Sequence, residues 1–121
     1  MNFIVKQQLT GVDMQYEVDV KSEHSALFLL LRNILIEDYK LLETRKQRIT
    51  SYSDPCGGVC HMRTTKNGVD IGFLKGVHMV DTYNQLTGTG KVMRVLPIKT
   101  VELKVITHYL TQAIDINRAT R

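Results

Sequence analysis

The chain has 121 residues, 43% hydrophobic and 23% charged, the size and balance of one ordinary globular domain. A domain of this size buries about two-thirds of the surface its unfolded chain exposes, so neither a disulfide framework nor a structural metal is needed to hold it. The net charge of +4 conceals an asymmetry: residues 1–44 hold four Lys/Arg against seven Asp/Glu, and residues 45–121 hold twelve against five.

The basic later part attracts anionic partners by long-range steering, or else serves only as a solvated surface. MNFIVKQQLTG has no basic segment ahead of a long apolar core. The one concentrated apolar run, Ala26 to Leu31, falls far short of the ~20 residues of a membrane span. The expectation is a cytoplasmic protein without membrane association, its two cysteines kept reduced.

In chain order, Met14, Tyr16, Val18 and Val20 alternate with Gln15, Glu17, Asp19 and Lys21, and this period of two predicts a half-buried strand. With Phe3 and Val5 as a second strand and Thr10-Gly11 as the turn between them, residues 1–21 are expected to form a β arm. Such an arm can pair with another copy, so monomer and homodimer are both open.

From Ser22 the period changes. Leu27, Leu30, Leu31, Ile34 and Leu35 recur at helical spacing and predict a first long helix from Glu23 to Leu42, capped by Ser22. A short strand follows at ITSY, before Asp54-Pro55. Val59 to Thr65 and Val69 to Leu74 flank Lys66-Asn67-Gly68, and Asn-Gly between two strand-like runs predicts a hairpin.

A polar loop then runs to Gly90, and Val92 to Ile98 reads as a strand that lies at a sheet edge or ends at Pro97, which cannot donate to a ladder. Thr100 is expected to cap a second long helix. Its stripe is Val101, Val105, Ile106, Tyr109, Leu110, Ala113 and Ile114. The order predicts a single α+β domain over residues 1–121, an antiparallel sheet of four to six strands with two long helices packed on one face.

The segments ITSYSDP, VDIGFLKG, GTGKVMRVLPI and the final DINRA, spanning Leu42 to Ala119, resemble the YdhG-like family of bacterial domains of unknown function. The usual family pattern has a Trp-Gly before the Pro where this chain has Tyr52-Ser53. The resemblance implies a fold similar to frataxin, and iron carriage in some members. Iron favours oxygen ligands, and the acidic residues in and after the first helix are Glu23, Glu37, Asp38 and Glu43, of which Glu37, Asp38 and Glu43 would serve.

Among candidate sites, Gly88 and Gly90 allow backbone amides to approach an anion, and Lys91 adds a charge. The stretch is not a Walker motif, because the earlier glycine and the Ser or Thr after Lys91 are missing. Adjacent antiparallel strands would bring Lys75 and Gly76 beside Gly90 and Lys91, with His78 in the loop between. Arg94, three residues past Lys91 on a regular strand, would face away.

Cys56, Cys60, His61 and His78 supply zinc-ligand types, but Cys-x3-Cys with one following His is a weak pattern, and Cys60 and His61 point to opposite faces of a strand. Cys56 with His78 lacks the third, orienting residue of a catalytic set, so no catalytic residue is expected. Tyr52 either stacks on a ligand or closes the core.

The function expected is a non-enzymatic binding domain whose loop 75–91 takes an anionic small molecule or protein, with no required cofactor. The alternatives are a frataxin-like iron carrier and a nucleic-acid module. The last rests on the basic later half and five tyrosines, without the clustered aromatics of a stacking platform.

Overall fold

The computed structural model describes residues 14–120, so the strand expected at Phe3 and Val5 and the turn at Thr10-Gly11 lie outside it. The alternating segment that follows is not a strand. Helix α1 spans Gln15–Lys21, with the Glu17 carboxylate accepting the Met14 N–H at 3.1 Å and the Gln15 side chain donating to Asp19 at 2.9 Å. Asp19 decides the matter. It is fully buried, and its Oδ1 accepts both the N–H and the hydroxyl of Thr64, at 2.9 and 2.7 Å. Tertiary hydrogen bonding of a buried carboxylate thus overrides the local period of two.

Helix α2 spans Ser25–Asn33 and continues as a π turn over Ile34–Asp38, four residues short of the expected end at Leu42. Ser22 does not cap it directly; its hydroxyl accepts the His24 N–H at 3.0 Å. At the far end the Tyr39 N–H reaches Ile34 O at 3.2 Å, and the Leu41 N–H reaches Leu35 O at 3.1 Å. The second bond is one residue wider than the usual Schellman closure. Lys40 takes φ +56° to make the reversal, which drops Leu41 into the core and starts a strand at Leu42.

The strands are β1 (Leu42–Arg45), β2 (Thr50–Asp54), β3 (Gly57–Thr65), β4 (Gly68–Phe73) and β5 (Arg94–Ile98). They form a five-stranded antiparallel meander in the order β1-β2-β3-β4-β5. The expected hairpin joins β3 to β4. Gly68 has φ +154°, and a Cβ there would lie 2.1 Å from the Ile98 carbonyl oxygen, so the position admits no side chain. β5 is an edge strand, as Pro97 requires. Part of its outer edge is covered by reciprocal hydrogen bonds between Thr87 and Val95, at 2.8 and 2.9 Å.

Helix α3 spans Leu103–Ala119, beginning after Glu102 rather than at the expected Thr100. Its Val105, Ile106, Tyr109, Leu110, Ala113 and Ile114 join Phe28, Leu31, Ile34 and Leu35 of α2 in one core with Tyr52, Cys60, Met62, Ile71, Phe73 and Leu96 of the sheet. Those sheet residues alternate with Ser51, His61, Arg63, Asp70 and Val95, none of which belongs to that core. The result is an α+β fold with a five-stranded antiparallel sheet and three helices. No described helix is long and apolar enough to cross a membrane.

Candidate functional site

The loop after β4 begins with Lys75 and Gly76 in contact with the start of β5. A Cβ on Gly76 would lie 2.5 Å from the Arg94 backbone nitrogen, and the Val77 N–H donates to Val92 O at 2.9 Å. The segment beside Gly76 is therefore Val92 to Arg94 rather than Gly90 and Lys91. Arg94 does not face away as expected; its Nη1 donates to the carbonyls of Gly90 and Met93, both at 2.7 Å. Strand alternation fails as a guide there because regular pairing starts only at Arg94.

The Lys75 ammonium donates to the Thr120 hydroxyl at 2.6 Å, on the last turn of α3, where a cation also suits the helix dipole. His78, Gly88, Gly90 and Lys91 lie exposed. The loop between them is stitched to α3. Tyr109 donates its hydroxyl to Asp81 Oδ1 and accepts the Tyr83 N–H at 3.0 Å, while Gln112 bonds both the N–H and the carbonyl of Val80. Desolvation pushes the Asp81 carboxyl up, but hydrogen bonds from Tyr109, Leu86 and Gln85 outweigh it and hold it below its ordinary value.

Of the expected iron ligands, Glu37 and Asp38 are exposed on the π turn, and Glu43 is already engaged. Arg32 donates to Glu43 from Nε at 2.6 Å and from Nη2 at 3.0 Å, Arg45 from Nε at 2.9 Å, and Tyr52 from its hydroxyl at 3.0 Å. Desolvation pushes this carboxyl up, and the three hydrogen-bonding partners more than reverse the shift. Tyr52 is accordingly a core residue, 0% exposed, its hydroxyl pushed well up by burial and by the Glu43 charge. Arg45 also lies over the Tyr16 ring, 3.5 Å from its centroid.

Cys60 is buried, its thiol pushed up to about 12 by desolvation, and His61 stands on the other face of β3. No disulfide joins Cys56 to Cys60. Among the described residues, no three His, Cys, Asp or Glu side chains are grouped to hold a metal ion.

A roomier cleft lies elsewhere, where the end of α2, the β2–β3 turn and α3 meet. There the π turn and Lys40 form one wall of a cleft of about 540 Å³, with Asp38, Tyr39 and Leu41. Asp54 and Pro55 form the second wall, and Thr111, Ile114, Asp115 and Arg118 the third.

Behind the second wall, Asp54 Oδ1 accepts the Cys56 N–H and the Asn117 side-chain amide, both at 2.8 Å, and the same amide donates to Gly57 O at 3.1 Å. Asp54 Oδ2 and Asn117 Oδ1 are buried and accept no hydrogen bond. π turns, left-handed non-glycine residues and unsatisfied buried polar atoms each concentrate at functional sites, and all three occur around this cleft.

No protein family, curated protein or solved structure matches the chain. The site therefore rests on its own geometry.

Sequence reasoning singled out Asp38 but missed Lys40, Asp54, Asn117 and Arg118. One signal was present for Asn117: it continues the apolar stripe of α3, three residues after Ile114, and a polar residue there has to be buried with partners. Nothing local marked Lys40, since its left-handed backbone arises from the closure of the π turn.

Proposed function

We propose that this chain is a small-molecule-binding domain whose site is the cleft between the π turn, the β2–β3 turn and α3. The observation that carries the reading is the convergence of a π turn, the left-handed Lys40 and the half-buried Asp54, its Oδ2 unsatisfied, on one cavity of about 540 Å³. That volume suits a compact ligand. The lining favours one with both signs of charge, an anionic group beside Lys40 and Arg118 and an amine beside Asp38 and Asp115.

The anionic partner expected from the sequence is retained in this reading, but moved from loop 75–91, where Lys75 and Arg94 already hold other groups. Binding without catalysis, in the cytoplasm, is in keeping with the YdhG-like resemblance and its two helices on one face of a frataxin-like sheet. Iron carriage would require releasing Glu43 from Arg32 and Arg45.

The test is an NMR titration of the labelled chain with amino acids, diamines and dicarboxylates in turn. Zwitterions are expected to shift residues 38–41, 54–57 and 111–118, and Arg118→Ala to weaken binding at least tenfold with an unchanged melting temperature. Shifts confined to Lys75–Lys91 would restore the loop as the site. No response to any of the three ligand classes would sink the proposal.

A further inference from the structure

The meander gathers three chain segments at the sheet end opposite the cleft. Arg45 pairs with Thr50 across the β1–β2 turn, Thr65 with Gly68 across the hairpin, and Val69 with Ile98 at the end of β5. These segments carry Lys46, Arg48, Lys66 and Lys99, while Arg63 stands two residues in from the hairpin on the sheet face that lies outside the core. All five side chains are exposed, and among the described residues none forms an ion pair. Asp70, opposite Arg63, is the nearest acid on that face.

With strands about 4.8 Å apart, the cations form a row on the order of 20 Å long. On the face above them Thr44, Ser51, His61, Gly72 and Val95 stand side by side across the five strands, mostly small side chains. Met93 and His61 lie over Gly72, where a Cβ would be 2.9 Å from Met93 Cε and 3.1 Å from His61 Cε1. The proximity of Lys46 and Arg63 adds to burial in lowering the His61 pKa, which marks a positive potential over this part of the face.

We infer that this face, with its cationic row, docks a single strand of nucleic acid. The row tracks the phosphates, and the floor of small side chains with the His61 imidazole and the Met93 thioether over Gly72 receives bases. A second copy of the chain would bring the same positive charge and be repelled. A membrane surface is disfavoured because the large exposed apolar residues are dispersed, Val18, Leu29, Leu30 and Leu103 on the helices and Val77, Val80 and Val92 in the loop before β5, and the strands expose Leu42 alone. No described Tyr or Phe stands on this face, so affinity rests on phosphate contacts, is tolerant of sequence and falls steeply with salt.

The test is fluorescence anisotropy of the full chain with a labelled 12-nucleotide strand. If five phosphates are neutralised, the salt slope is about −0.7 per contact, and affinity drops about 100-fold between 50 and 200 mM salt. The double variant Lys46→Ala/Arg63→Ala is expected to flatten the slope by about 1.4 and to bind at least tenfold more weakly at low salt. Lys21→Ala, on α1, should bind as the parent does. NMR spectra of each variant establish that it folds. Absence of binding at 50 mM salt, unchanged binding by the double variant, or equal competition by polyglutamate would overturn the inference, as would preferential binding to anionic lipid vesicles.

Discussion

At one end of the sheet the chain makes a π turn, sets Lys40 at φ +56° and buries the carboxylate of Asp54 against Asn117. At the other end, short turns close regular ladders, and Lys46, Arg48 and Lys66 project into solvent. The contrast follows from how much concave space each end encloses. Three elements meet around the cleft, so backbone and polar groups there are placed by tertiary closure and some remain unsatisfied. At the hairpin end the turns are short and meet the helices only through single contacts, Lys46 O with the Gln15 N–H and Lys66 O with His24, which leaves the Lys46, Arg48 and Lys66 side chains free to carry charge. One end is suited to enclosing a small ligand, the other to meeting an extended one.

The largest expected effect probes the buried pair. Asn117→Asp sets a second carboxylate beside Asp54 and should cost roughly 3–5 kcal/mol in urea denaturation at neutral pH, with partial recovery as the pH falls and one carboxyl takes a proton. A loss below about 1 kcal/mol would mean that the cleft end is loose enough to admit water and is not the rigid site described.

Gly68→Ala addresses the opposite end. A methyl group 2.1 Å from the Ile98 carbonyl forces the hairpin away from β5, at an expected cost of about 2–3 kcal/mol. If calorimetry finds the variant as stable as the parent, the hairpin end is not the regular closure that distinguishes it from the cleft.

The smallest effect is the most discriminating. Lys40→Gly relieves a left-handed lysine, worth about 1 kcal/mol, against the entropic cost of glycine, so stability should hold or rise by about 0.5 kcal/mol. Ligand binding in the cleft should nevertheless weaken, because the ammonium is gone. Unchanged affinity in the stable variant would remove Lys40 from the site.

The sequence by itself determined much of the later fold. The Asn67-Gly68 hairpin, the edge position of β5 through Pro97 and the buried stripe of α3 follow from local rules, because turn chemistry, a missing N–H and a 3.6-residue period act within a few residues of chain. Tyr52 in the core and the opposed faces of Cys60 and His61 were legible for the same reason. Met14 to Lys21 was not, since its alternation fits a strand and only the burial of Asp19 against Thr64 makes it a helix. The end of α2, strand β1 and the walls of the cleft likewise depend on bonds between distant elements. Asp54 and Asn117 are 63 residues apart, and no local pattern records that one buried polar group finds its partner in the other.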